Sequence, residues 1–167
     1  MESARPAVAV DVDGILALAT DLRAELAHHR GGAWWIRTHD DAPPSAAGLH
    51  ARLVDPDGHL VVGCIDGVTV GYALARIRRL ADGGRLAEIT EVFVQPDARA
   101  VGVGERMIDE VLIWAGEQGC EGVDATALPG HRAAKSFFEA HGFLARSLVM
   151  HRSLPAGRGT PEHEPGP

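Results

Sequence analysis

The stretch that most restricts how this chain can fold runs from Glu88 to Glu105, EITEVFVQPDARAVGVGE. Ile89 to Val94 is β-branched and apolar enough for a strand, Pro96 ends the ladder, and a helical pattern begins at about Val103. Between them, Arg99-Ala100-Val101-Gly102-Val103-Gly104 reads as a turn with two glycines at a helix N-terminus. Glycines let the backbone approach an anion closely, while the free N–H groups and positive end of the helix face it. The turn therefore points to a pyrophosphate-bearing cofactor. It is not a nucleotide P-loop, because no Lys-Ser/Thr pair follows Gly104, and it lacks the third glycine of the dinucleotide fingerprint.

The rest of the chain supplies elements around this stretch. Ala7 to Val10 can form a first edge strand, and Asp11 or Asp13 can cap a helix from about Gly14 to His29, with Ile15, Leu18, Leu22 and Leu26 on one face. His28, His29, Trp34, Trp35 and His39 then cluster around Gly31-Gly32, followed by Asp40-Asp41. Adjacent ligands at a helix end point in different directions, so no metal site is assigned to them. Ser45 to Val54 reads as a second helix. His59–Ile65 and Val68–Leu80 read as strands joined by Asp66-Gly67, a strong two-residue hairpin signal. Ala81 to Gly84 turns the chain into the central strand. Glu105 to Gln118 is the helix behind the glycine turn, with Ile108, Val111, Leu112 and Ala115 as its buried stripe and Gly119 as its end. Cys120 to Leu128 is a further strand, parallel to the one before through a right-handed crossover. A last helix spans His131 to His141. From Phe143 to Leu154 no turn residue interrupts FLARSLVMHRSL, which predicts one long strand or a very tight hairpin.

Composition narrows the class. With 167 residues and 46% hydrophobic content, a single domain over residues 1–154 with a disordered tail, 155–167, is expected. A net charge of −7 argues against nucleic acid or an anionic membrane as partner and permits a cationic substrate. Cys64 and Cys120 have no metal-ligand spacing and read as free thiols. No apolar run reaches the roughly 20 residues of a membrane span, and no basic-then-apolar leader opens the sequence, so a cytoplasmic location is expected.

The strand ending V-x-V-x-P, then R-x-x-G-x-G, an amphipathic helix, a second strand, and Ala134, Phe138 and Gly142-Phe143 together resemble the GNAT superfamily of acyl-CoA-dependent N-acetyltransferases. The resemblance runs from about Leu60 to Leu154. It implies an α/β (α+β) fold with a mixed central sheet of about six to seven strands, about four helices and a splayed parallel strand pair at the cofactor site. It also implies that acetyl-CoA is the cofactor. Pantetheine would pair with the strand backbone at Val92, Phe93 and Val94, and the pyrophosphate would lie on Arg99, Ala100, Val101, Gly102, Val103, Gly104 and Glu105. His131 and Phe138 stand where the family has a cofactor-holding asparagine and a tyrosine that acts as general acid. Trp34, Trp35 and Tyr72 are the expected wall of the acceptor site, for a small-molecule or peptide amine. A second, short resemblance is that of VAVDVDGIL to the nucleophile motif of haloacid-dehalogenase-type phosphatases, but the usual Thr is Ile15 and helix capping explains the same aspartates.

Acetyl transfer from a thioester to an amine needs a base, a donor to the thioester carbonyl and a proton for the departing thiolate. Glu88 and Glu91 are the candidate bases. Glu88 falls where the resembling histone acetyltransferases carry their basic glutamate, while Glu91 lies nearer the acetyl group if the strand has the bulge seen in relatives. Strict alternation puts the two on opposite faces, and a buried carboxylate is expected to have a raised pKa. A backbone N–H at Phe93 or Val94 would polarise the carbonyl. Phe138 cannot donate a proton, which also leaves open an acyl-CoA-binding sensor or assembly module of the same fold. A missing C-terminal hairpin would leave a wall of the cleft to a second subunit, so a homodimer is expected.

Overall fold

The computed structural model describes residues 1–39 and 44–155. The strands are β1 (Glu2–Pro6), β2 (Gly58–Ile65), β3 (Val68–Arg79), β4 (Arg85–Val94) and β5 (Val123–Ala125). The α-helices are α1 (Val12–Leu26), α2 (Gly32–Thr38), α3 (Ala46–Val54), α4 (Val103–Glu117) and α5 (Arg132–Ala140). The strands lie in sequence order in one mixed α/β sheet, antiparallel except for the parallel pair β4–β5.

Period-two alternation gives the sheet two apolar faces. Leu60, Val62, Tyr72, Leu74 and Phe93 pack with α1 and α3, whereas Val61, Ala73, Ala75, Ala87 and Ile89 pack with α4. The second contact is close. A Cβ on Gly63 would lie 2.7 Å from Met107 Sδ, so only glycine lets α4 settle there. The β2–β3 hairpin turns on Asp66 (φ 49°) and Gly67 (φ 83°), the doubly left-handed pair that the sequence signal implies. Ser45 caps α3 by accepting the Gly48 N–H at 3.0 Å.

Several expectations are corrected. The sheet has five strands among the described residues, not six or seven, and five α-helices flank it. Residues 143–154 have no regular structure, and Leu144, Leu148, Val149, Met150 and Leu154 are all more than 80% exposed. The first strand is Glu2–Pro6, not Ala7–Val10. Arg5 bonds both oxygens of Asp11, and the Val8 N–H donates to Asp11 at 2.8 Å, which draws residues 7–10 into a turn before α1. The Asp11 carboxylate is therefore occupied by that turn rather than by capping α1 with its side chain. Trp34 and Trp35 lie in a helix of their own, α2. On α4, Met107 and Trp114 are buried and Leu112 is half out, because Trp114 stacks on His59 at 4.8 Å. The strand expected over Cys120–Leu128 is only Val123–Ala125. Asp40, Asp41 and the tail beyond Pro155 lie outside the described residues. Among the described residues, no helix is long and apolar enough to cross a membrane.

Candidate active site

The site is organised by one irregularity in β4. Leu74 pairs with Glu91 while the next residue, Ala75, pairs with Ile89, so Thr90 is an extra residue. Its hydroxyl donates to Leu74 O at 3.2 Å. Such a bulge breaks the alternation. Ala87 and Ile89 face α4, Phe93 faces α1, and Glu88 and Glu91 therefore share the α1 face. Strict alternation would place them on opposite faces; the bulge, which the resemblance allows for, brings them to one.

The bulge also ends a ladder. β5 pairs with β4 at Ala87, Ile89 and the residue between, and no farther, although β4 continues to Val94. From Thr90 onward no strand among the described residues pairs with the β5 side of β4. The Gln95 N–H donates to Val70 O at 2.9 Å, so by antiparallel alternation the Phe93 N–H also points into the sheet while the N–H groups of Val92 and Val94 point to the gap. Of the two donors considered for the thioester carbonyl, Val94 is thus the one facing the opening. The Phe93 side chain is buried in the α1-side core.

The two glutamates have different surroundings. Glu91 is 5% exposed and accepts from Arg23 at 2.9 and 3.2 Å, from the Tyr72 hydroxyl, and from His39 Nε2 at 2.8 Å. Burial pushes its carboxyl up, but the hydrogen bonds from His39, Arg23 and Tyr72, with the Arg23 charge, outweigh that and bring it down to about 2. The expected rise is therefore reversed at Glu91. Tyr72, 0% exposed, is held protonated by burial and by Glu91, and it borders no opening, contrary to its expected place in the acceptor wall.

Glu88 borders a cavity of about 180 Å³ together with Trp35, Thr38, His39, Arg76, Thr90 and Thr126. Arg76 Nε donates to it at 3.1 Å, the cross-strand pairing that the sequence allowed. Trp35 forms part of this wall and stacks on His39 at 4.2 Å, whereas Trp34 stands outside against Arg37 and His151.

The glycine turn has the geometry of an anion cradle. Ala100 (φ 62°) and Gly102 (φ 97°) are left-handed, and a Cβ at Gly102 would meet nothing within 4 Å, so that surface is open. The first helical bond is Arg106 N–H to Gly102 O at 3.2 Å, and no side chain caps α4. The N–H groups of Val103, Gly104 and Glu105 thus have no acceptor within the helix, which fits a pyrophosphate. Val101 and Glu105 are exposed beside them, and the Val103 side chain is buried. Arg99 is turned elsewhere, to Val94 O at 2.9 Å and Glu25 at 2.6 Å.

Of two further expected cofactor contacts, one lies in the core and the other lies beside the turn, one carboxylate away from Arg99. Phe138 is buried edge-on against Phe143 and Phe137 in the α4-side core, and it is Phe137 whose ring lies beside Gly104. His131 stacks on His29, with Nε2 3.6 Å from Glu25, and burial lowers its pKa. Sequence reasoning missed Arg23 and the cavity role of His39. Arg23 had a visible signal, a charge set between Leu22 and Leu26 on the apolar face of α1.

A model of the acetyltransferase (GNAT) family matches residues 22–143. An aminoglycoside N(6')-acetyltransferase type 1 from Stenotrophomonas maltophilia is 27% identical over 137 residues, which cover 79% of this chain and 86% of that protein. Among solved structures, the aminoglycoside acetyltransferase AAC(6')-Iy, in complex with a CoA-containing bisubstrate analogue, superposes with a TM-score of 0.72 at 21% identity, covering 93% of this chain and 99% of that one. A Bacillus halodurans protein solved as a tetramutant gives a TM-score of 0.75 at 15% identity, covering 90% and 99%. With the open strand edge, the uncapped glycine turn and the family match in agreement, the chain belongs to the acetyltransferase (GNAT) family and is an acetyl-CoA-dependent N-acetyltransferase.

Proposed function

We propose that this enzyme acetylates a primary amine of a polycationic small molecule by direct attack in a ternary complex, with aminoglycosides as the substrate class. The observation that carries this reading is the cavity beside the gap in β4, where Glu88 and three threonines offer polar partners to an amine arm, with Arg52 and Arg76 also in the wall and Arg76 bonded to Glu88. At about 180 Å³ it holds roughly six water-sized groups, enough for an aminomethyl arm with part of its ring but not for a whole aminoglycoside. The remaining sugars would rest on the rim of a protein whose net charge is −7. The relatives named for aminoglycoside acetylation support the same class.

Bound acetyl-CoA supplies an activated acetyl thioester. Glu88 serves as base, since it borders the cavity and is not locked by three donors as Glu91 is. Glu91 positions His39 and α1 against the sheet. The Val94 N–H would be the donor to the acetyl carbonyl, and the uncapped start of α4 would hold the pyrophosphate. Tyr72 is the chain's one tyrosine and is sealed in the core, so it would not be the proton donor to a departing thiolate. The functional unit is the single domain 1–154. Its free cysteines favour a reducing, cytoplasmic compartment.

We further infer a homodimer in which a second copy covers the apolar arm at residues 143–154. The arm is fixed at its start, where Arg146 Nε reaches Asp124 on β5 at 2.7 Å, and it brings His151 against Trp34 beside the cavity. Light scattering should give twice the chain mass at micromolar concentration; a monomer would refute the dimer. The test of function is CoA release, followed with a thiol-reactive dye, on aminoglycosides, polyamines and lysine peptides. Fastest turnover is expected with aminoglycosides. Release with peptides alone would refute the substrate class.

A further inference from the structure

Of the histidines clustered in sequence after α1, the structure sends His39 to Glu91 but turns His29 toward Glu25 and His131. Glu25 lies in the last turn of α1, and His29 follows it by four residues, the spacing that brings two side chains to one side of a helical turn. His131 arrives from the segment before α5. One ligand atom from each of the three lies within 4.8 Å of the others. His131 Nε2 is 3.6 Å from Glu25 Oε1, and the two imidazoles stack with centroids 4.3 Å apart. The second oxygen of Glu25 is held from behind by Arg99 Nη2 at 2.6 Å, and Arg99 is itself tied to Val94 O at 2.9 Å. Ligating carboxylates in metal sites are held by such outer donors, and here the other oxygen of Glu25 is the one that lies 3.6 Å from His131.

We propose that Glu25, His29 and His131 bind a Zn²⁺ ion, with further positions open to water. Two imidazoles and one carboxylate suit zinc and its late first-row neighbours, whereas calcium and magnesium prefer oxygen ligands throughout. Ligand atoms about 2 Å from a tetrahedral zinc stand roughly 3.3 Å apart, so the trio must close by at most about 1.5 Å. All three residues are only half-buried, and rotation of their side chains covers that distance. The ion would tie the end of α1 to the segment entering α5, next to Arg99 and the glycine turn. The site does not depend on the identity of the amine acceptor or on acetyl transfer.

The test uses the full chain, treated with a chelator and then titrated with Zn²⁺ in a calorimeter and with Co²⁺ by visible absorption. One ion per chain is expected, with Co²⁺ bands of a low-coordinate nitrogen and oxygen site. His29→Ala and His131→Gln should each weaken binding by about tenfold or more. Glu25→Gln should also weaken it, and His28→Ala, on the adjacent residue, should leave it intact. Circular dichroism checks that each variant folds, and the half-buried His131→Gln carries the test should another fail. No stoichiometric binding by the unaltered chain would overturn the proposal. So would a His29→Ala or His131→Gln variant that binds as tightly as the unaltered chain, or a loss that follows His28 instead.

Discussion

Replacing Glu91 by glutamine tests the buried network directly. The change is isosteric, but it leaves Arg23, 8% exposed, facing a neutral amide. Breaking a buried ion pair by altering one partner costs about 3–5 kcal/mol. The titration of Glu91 gives an independent figure. A carboxyl that titrates at 4.5 when unfolded and at about 2 when folded contributes about 3 kcal/mol of stability at neutral pH. The sign follows from the depressed folded value: the contribution is complete above the unfolded value and is lost as pH falls through the folded one. At about pH 3.5 roughly 1 kcal/mol of it is already gone. Urea unfolding of both proteins, followed by circular dichroism near pH 7 and near pH 3.5, should therefore show a gap of about 3 kcal/mol that narrows by about 1 kcal/mol at the lower pH. A gap under about 1 kcal/mol at neutral pH would refute the reasoning, as would a gap that does not change with pH.

Other substitutions separate the remaining roles. Glu88→Gln should lower kcat by about 10²- to 10⁴-fold while acetyl-CoA affinity, read by calorimetry, stays unchanged; a parallel loss of affinity would count against Glu88 as base. Trp35→Ala should raise KM for the amine, and Trp34→Ala, outside the cavity wall, should not; steady-state kinetics on the two variants decides. Gly63→Ala should destabilise by about 1–3 kcal/mol in urea, because the added carbon falls 2.7 Å from Met107 Sδ and 2.8 Å from Val103 Cγ2 in a packed interface.

The parts legible in the sequence were those carried by local chemistry. Asp66-Gly67 fixes a hairpin because both positions must be left-handed, and Ser45 marks a helix start because its hydroxyl meets the third N–H on. The glycine turn announced itself in the same way. What the sequence hid depends on partners distant in the chain. The bulge at Thr90 involves neither glycine nor proline; the resemblance allows for one without placing it, and its position shows only when β3 and β4 are paired. The depressed pKa of Glu91 is likewise set by Arg23, His39 and Tyr72, which come from three other elements or their ends. Phe138 was aligned with a tyrosine by spacing alone, yet its neighbours Phe137 and Phe143 draw it into the core.

The extra residue at position 90 also bears on the edge of the sheet. Ile89 and Glu91 keep the faces dictated by their partners Ala75 and Leu74 whether or not a residue intervenes, so both cores would survive its deletion. What would change is the edge: a regular β4 could stay paired with a lengthened β5, and the gap that admits an acyl donor would zip shut. The bulge and the end of the β5 ladder thus meet at Thr90, while the two cores are held by its neighbours on either side.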